Sequence, residues 1–289
     1  MTQTELNGEC VLEADRKPSA FRSVPEDTRE LTIKTLLPSE AAEVLLLGHR
    51  LKHLTKLTLR YGLLERLDFL ASFHSIRTLF VSNLNDLKDY TGIGYCVKLT
   101  HLNVTASLSS VGSLAFLRHL SELEQLYLEG PNPSKGMDKI EPLRNVKKLS
   151  LYAPRWSMEQ LRSLFPNLLE LSISQGGYQS LNFLASLKKL TSLDIAYARK
   201  LAVFDSVGRL PCLRSVWIGH AIRGLQTCSQ LGCSSSVEQI RITRCMQLKD
   251  IRSLVDWSAL REAKFYDCPL VPAAQIEMLR KAGKMVNGK

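Results

Sequence analysis

The sequence has no apolar run near the roughly 18 residues that a membrane-crossing helix needs; its unbroken apolar stretches stop at four, as in Val44 to Leu47. Met1 to Asp15 is polar and acidic, with no basic-then-apolar leader. Both absences argue against a spanning segment and ordinary export, and make the cytoplasm the expected compartment. Cysteine is sparse and odd in number, at seven, which excludes a disulfide framework as the source of stability and fits reduced thiols. Aromatic residues are only 7% of the chain. Acidic residues fall short of basic ones, 28 against 38, for a formal charge of +10. The deficit is uneven: residues 1–30 are net −3 and the remainder is +13. A basic body favours acidic partners without choosing among protein, nucleic acid and membrane surface.

Chemical motifs are missing as well. There is no glycine-rich phosphate loop and no Gly-x-Ser-x-Gly elbow. His49 and His53 have the spacing of a zinc-protease helix, but Arg50 stands beside His49 where that motif needs its Glu base. They read as surface histidines. Cys228 and Cys233 have no second cysteine pair at metal spacing. We therefore expect no catalytic residue, no metal and no cofactor.

Leucine is what the chain has in excess, 51 of 289 residues. It recurs in one pattern: apolar, two residues, apolar, two residues, apolar, one residue, apolar. Leu51, Leu54, Leu57, Leu59 is the first full copy; Leu187, Leu190, Leu193, Ile195 is another. The last apolar position falls at 33, 59, 81, 104, 128, 151, 173, 195, 218, 242 and 265, in steps of 22 to 26 that average about 23. The closing pair has period two, so it reads as a short strand with both side chains on one face. Between strands, Leu64, Leu67, Leu70, Phe73, Ile76 and Leu79 recur every third residue, the period of a 3₁₀ turn. Ser157 and Gln160 read as a capping box before Leu161, Leu164 and Phe165 at α spacing. No single unit buries its own apolar face, so neighbours must stack.

The pattern resembles the leucine-rich repeat family over roughly residues 28–270, in its short-period, internalin-like class. The resemblance implies an α/β fold: a solenoid with a parallel sheet on the concave face and 3₁₀ or short helical turns on the convex side. The family usually places Asn three residues after the second strand leucine, where its amide bonds neighbouring backbone. Here that column reads Gly62, Leu84, Ser107, Pro131, Pro154, Gly176, Ala198, Ala221, Cys245 and Cys268. The amide ladder is absent, small residues keep the turns tight, and Cys245 and Cys268 read as fillers.

The expected organisation is a polar N-terminal tail at 1–22, a solenoid of about 11 repeats at 23–271, and a C-terminal cap helix and tail at 272–289. Ser39 reads as the cap of a helix near 39–50 that carries Val44, Leu45, Leu47 and Leu51 inward. Pro272 suits the start of the last helix.

Strand alternation sends the residues flanking each last apolar position away from the core. Phe80, Tyr127, Tyr152, Trp217 and Tyr266 are thereby expected on the concave face. Glu129, Glu170 and Asp194 lie near the middle of that row, and Arg241, Arg244 and Lys264 near its C-terminal end. Tyr and Trp anchor protein interfaces, and Gly219 is expected to leave room for a partner beside the Trp217 indole. These eleven residues are the candidate partner-binding set. The expected function is a non-enzymatic protein-recognition module, in one version a cytoplasmic inhibitor or immunity-type protein that masks a toxin or enzyme. Nucleic-acid binding and a targeting or regulatory subunit of an enzyme are the alternatives.

Overall fold

A computed structural model describes residues 3–6, 9–13, 18–84, 86–105, 113–129, 136–154, 157–220 and 222–288. The chain divides into two units, Met1–Val146 and Lys147–Lys289.

In the first unit, β1 (Gln3–Leu6) and β2 (Glu9–Leu12) form an antiparallel hairpin. From β2 the sheet continues parallel through β3 (Glu30–Leu36), β4 (Lys56–Gly62), β5 (Thr78–Leu84), β6 (His101–Thr105) and β7 (Gln125–Glu129). Leu57, Leu79, Leu102 and Leu126 are in register, as are Leu59, Val81, Val104 and Leu128. All are buried, each contributing about 1.5–3 kcal/mol by leaving water.

The described residues within 1–22, expected as a polar tail, form the hairpin and a 3₁₀ turn instead. Cys10 and Leu12 of β2 are buried, and so are Ala20 and Phe21 in a 3₁₀ turn. Strand alternation over four residues lets β2 cover the apolar edge of β3, which a tail would leave exposed.

The helix near residue 40 forms as α1 (Ala41–Arg50), but Ser39 does not cap it. Pro38 opens a 3₁₀ turn, Pro38–Glu40, and moves the helix boundary to Glu40, whose carboxylate accepts the Leu37 amide at 2.9 Å. Val44, Leu47 and Leu51 point inward as expected, whereas Leu45 is exposed. Arg50 donates to the carbonyls of Phe21, Arg22 and Val24 at 3.0, 2.8 and 2.6 Å, tying the N-terminal turn to α1.

The second unit is parallel throughout: β8 (Lys148–Tyr152), β9 (Glu170–Ser174), β10 (Ser192–Ala196), β11 (Ser215–Gly219), β12 (Gln239–Thr243), β13 (Glu262–Tyr266) and β14 (Met285–Gly288). The Ser157–Gln160 box is not made, because the Ser157 hydroxyl bonds the Glu159 carboxylate instead; only the single turn of α2 (Leu161–Leu164) follows. The last helix forms as α3 (Ala273–Lys281) with Pro272 as its N-cap, and buries Leu279. The period-three series do form 3₁₀ turns, for example at Asp68–Ser72 and Asn182–Ser186.

A second column substitutes for the missing amide ladder. The residue two places after the last apolar position has positive φ, between 51° and 58°, at Thr35, Tyr61, Asn83, Ala153, Gln175, Tyr197, His220, Arg244 and Asp267. Asn and Asp tolerate this conformation; the other side chains pay about 1–2 kcal/mol each for it. In return the backbone amide reaches across to the next coil: Ala153 to Ser174 O at 2.7 Å, His220 to Thr243 O at 2.9 Å and Arg244 to Tyr266 O at 2.9 Å. The following column is buried at Gly62, Leu84, Pro154, Gly176, Ala198, Cys245 and Cys268; Ser107, Pro131 and Ala221 lie outside the described residues. Cys268 Sγ approaches the Tyr266 carbonyl at 3.4 Å and Cys245 Sγ the Thr243 carbonyl at 3.7 Å. Burial pushes the Cys245 thiol up to about 12, so it stays protonated and keeps its weak donor.

Some crossovers need glycine for space. A Cβ on Gly92 would stand 2.5 Å from the Leu67 carbonyl carbon, whereas one on Gly177 would meet nothing within 4 Å. Gly92→Ala is expected to cost about 1–3 kcal/mol through overpacking, and Gly177→Ala to stay within about 0.5 kcal/mol of wild type. Urea unfolding of the two variants checks this; equal stabilities would contradict the coil spacing.

Candidate functional site

The strand face of the second unit has three columns of outward side chains, fixed by the parallel register. The central column runs Ser150, Ser172, Asp194, Trp217, Arg241 and Lys264 along adjacent strands. Strands about 4.8 Å apart put each side chain in reach of the next. Asp194, Trp217, Arg241 and Lys264 thus share one groove with Ser192, Ser215, Gln239 and Glu262, enclosing about 290 Å³.

Charge in the groove is unevenly satisfied. Lys264 pairs with Glu262 at 2.6 Å and Lys148 with Glu170 at 3.1 Å. Asp194 and Arg241 make no hydrogen bond or ion pair among the described residues. Burial is the largest influence on Asp194 and raises its carboxyl above the ordinary aspartate range; Glu170 adds to the rise, while Lys148 and Arg241 oppose it. A raised carboxyl pKa means that ionising the group costs the folded state. Stability therefore falls as pH climbs from the unfolded value through the folded one, and the full cost stands above it. Asp194→Asn is expected to be more stable than wild type at about pH 7 and to lose that advantage near pH 3, where both carboxyls are neutral. Chemical denaturation at the two pH values checks the sign.

The Trp217 indole reaches Thr243 and His220. Its Nε1 donates to Thr243 Oγ1 at 3.1 Å, and its ring meets His220 edge-on at 5.7 Å. The space over Gly219 is accordingly not open to a partner: a Cβ there would meet the Thr243 hydroxyl and the indole nitrogen. Glycine is needed because the Thr243 hydroxyl that accepts from the indole already occupies that space. Tyr152 and Tyr266 occupy the outer column in register with Ser174 and Thr243; Tyr152 is half-buried and Tyr266 is exposed. Arg244 does not join the face. It sits in the positive-φ turn and pairs with Asp267 at 3.3 Å.

Phe80 on β5 and Tyr127 with Glu129 on β7 belong to the first unit and are half-buried there. The Tyr127 hydroxyl donates to Glu129 at 3.5 Å. The expected row of five rings is thus shared between two units, and the second holds Tyr152, Trp217 and Tyr266.

Sequence reasoning missed Tyr197 and His220, whose rings stack at 4.8 Å and 13°. Both follow their strands at the positive-φ position. Plain alternation turns that residue inward; the left-handed turn throws it out instead.

No protein-family model and no curated protein matches the sequence. Among solved structures, the chain is similar to an internalin of Listeria monocytogenes, with 14% identity, a TM-score of 0.59, and coverage of 98% of this chain and 86% of that one. It is also similar to a chain of the Drosophila Toll–Spatzle complex, with 10% identity, a TM-score of 0.58, and coverage of 90% of this chain and 43% of that one. Identities this low speak for the fold alone. With the register and the 3₁₀ crossovers, they make the fold of this chain that of a leucine-rich-repeat solenoid in its short-period, internalin-like form.

Proposed function

We propose that the chain is a non-enzymatic module that binds a partner protein through the strand face of its second unit. One observation carries the reading: Asp194 is half-buried beside Trp217 and Arg241 in a 290 Å³ groove and makes no hydrogen bond or ion pair among the described residues. A desolvated carboxylate that accepts no hydrogen bond is a cost to the isolated protein that a hydrogen-bonding or cationic group from outside reduces. The Tyr152 and Tyr266 rings flank it with the surface that interface anchors use. One of the similar chains belongs to a structure of a protein complex, Toll–Spatzle.

The finer version is an inhibitor or immunity-type protein that acts in the cytoplasm by covering an enzyme or toxin. Affinity capture from the native cell tests it, comparing wild type with Trp217→Ala/Tyr152→Ala. The expected result is one protein recovered in near-equal amount with wild type and lost with the variant. A recovered enzyme that is silent supports inhibition; one that is active makes the chain a targeting subunit. Equal recovery by both baits removes the strand face from the account.

Nucleic-acid binding rests on the second unit's charge, 21 basic against 10 acidic residues. The strand face does not carry that excess. Lys148, Arg241 and Lys264 are matched there by Glu170, Asp194 and Glu262, so a phosphate backbone gains little on it. Binding of random oligonucleotides that falls steeply with salt would favour this alternative. No helix among the described residues is long and apolar enough to cross a membrane.

A further inference from the structure

The two units differ in charge. The first has 17 basic and 18 acidic residues, net −1; the second is net +11. Since the strand face of the second unit is balanced, its excess lies elsewhere. One concentration of it is the edge where the strands end. Arg199 and Lys200 follow β10 and Arg223 follows β11; all three are exposed, and none has an ion pair among the described residues. At the same four and five residues past the last apolar strand position, the first unit carries Leu63 and Leu64 after β4, and Asp86 stands five past it after β5. Solenoid geometry alone thus does not make this edge basic.

The same edge displays apolar surface. Tyr197, Met246, Tyr266 and Leu270 are 41%, 56%, 42% and 51% exposed. The left-handed turns hold Tyr197 against His220, and His220 against Trp217, so the rings are fixed before anything binds. Rigid rings lose little entropy on association. Between the Gln175–Gly177 loop and Tyr197 lies a cavity of about 320 Å³ whose charged lining groups, among the described residues, are Arg199 and Lys200. Neighbouring like charges repel, and an anion between them relieves the repulsion.

We propose that this strand-end edge docks an acidic segment of a partner protein, with apolar residues between its acids and one carboxylate seated between Tyr197 and the Arg199–Lys200 pair. Charge complementarity selects the acids, and the exposed rings and Met246 select the apolar residues. A peptide fits better than a nucleic acid. Asp267 stands on the edge, and Asp194 and Glu170 stand on the adjoining face; a continuous phosphate chain has to pass them, whereas a peptide places its carboxylates one at a time. The inference rests on the chain being a protein binder, but not on the strand face being the site.

The probe is a labelled peptide of about 12 residues, Asp and Glu alternating with Leu and Phe, followed by anisotropy with the full chain at about 50 mM and 300 mM NaCl. Wild type is expected to bind it and to weaken with salt. Arg199→Glu/Lys200→Glu is expected to lose about tenfold or more. Lys188→Glu/Lys189→Glu makes the same charge change at exposed residues on the strand-entry side and is expected to stay within about twofold of wild type. Asp194→Asn, confined to the strand face, is expected to leave peptide binding intact even if it alters capture of the native partner. Arg223→Glu repeats the test at an independent position should the double variant fold poorly. No binding by wild type, or equal losses in the two double variants, overturns the proposal. So does tighter binding of an oligothymidine of similar length, which would make the edge a nucleic-acid surface.

Discussion

Trp257→Ala is expected to be among the most damaging single changes in the chain, lowering the unfolding free energy by about 3–5 kcal/mol. Trp257 is the largest fully buried side chain among the described residues. It follows the Arg252–Asp256 turn, and its Nε1 donates to the Gly232 carbonyl of the preceding coil at 3.1 Å. Its own carbonyl accepts Lys284 Nζ at 2.8 Å, beside the capping strand β14. Alanine removes the ring and also leaves the half-buried Gly232 carbonyl without this donor. Because each coil is stabilised by its neighbours, the loss should appear first as fraying from the C-terminal end. Hydrogen exchange is expected to show β13 and β14 opening before β8 to β11. Trp257→Phe keeps most of the volume and is expected to cost about 1–2 kcal/mol, chiefly for the lost hydrogen bond. If the alanine variant unfolds within 1 kcal/mol of wild type, roughly the scale of an ordinary surface change, the ring does not join these coils.

Trp217→Ala is expected to have the largest effect on function, weakening the complex with the captured partner by about 2–4 kcal/mol, or about thirty- to a thousandfold in Kd. Part of any stability loss in this variant is structural, since the indole also bonds Thr243 and contacts His220. Thr243→Val separates the two effects. It removes the hydrogen bond but leaves the ring, and is expected to lower stability modestly while keeping affinity within about fivefold. Equal loss of affinity in both variants would show that the ring's orientation, rather than its surface, matters to the partner.

The apolar frame was readable because its period is the packing period. Leu171, Leu193 and Val216 fall in register because each occupies the same place in a coil of about 23 residues. The ends were less readable. Four residues of β2 are too short for alternation to announce a strand, and Pro38 moved the start of α1 past the Ser39 that looked like its cap. In the site, alternation correctly placed Asp194, Trp217 and Arg241 side by side. It failed at Tyr197, His220 and Arg244, because these residue types do not by themselves announce positive φ; their amides are held there by the neighbouring coil's carbonyls. Thr243 and the Trp217 indole nitrogen that bonds it crowd Gly219, so a glycine that looked like an empty socket is already filled.

Hydroxyl-radical footprinting of the chain alone and with its captured partner tests the central claim most directly. Tyr152, Trp217 and Tyr266 are expected to lose most of their labelling in the complex, while exposed Leu46 and Tyr95 of the first unit stay unchanged. Protection of Leu46 and Tyr95 with the three second-unit rings still labelled would contradict it.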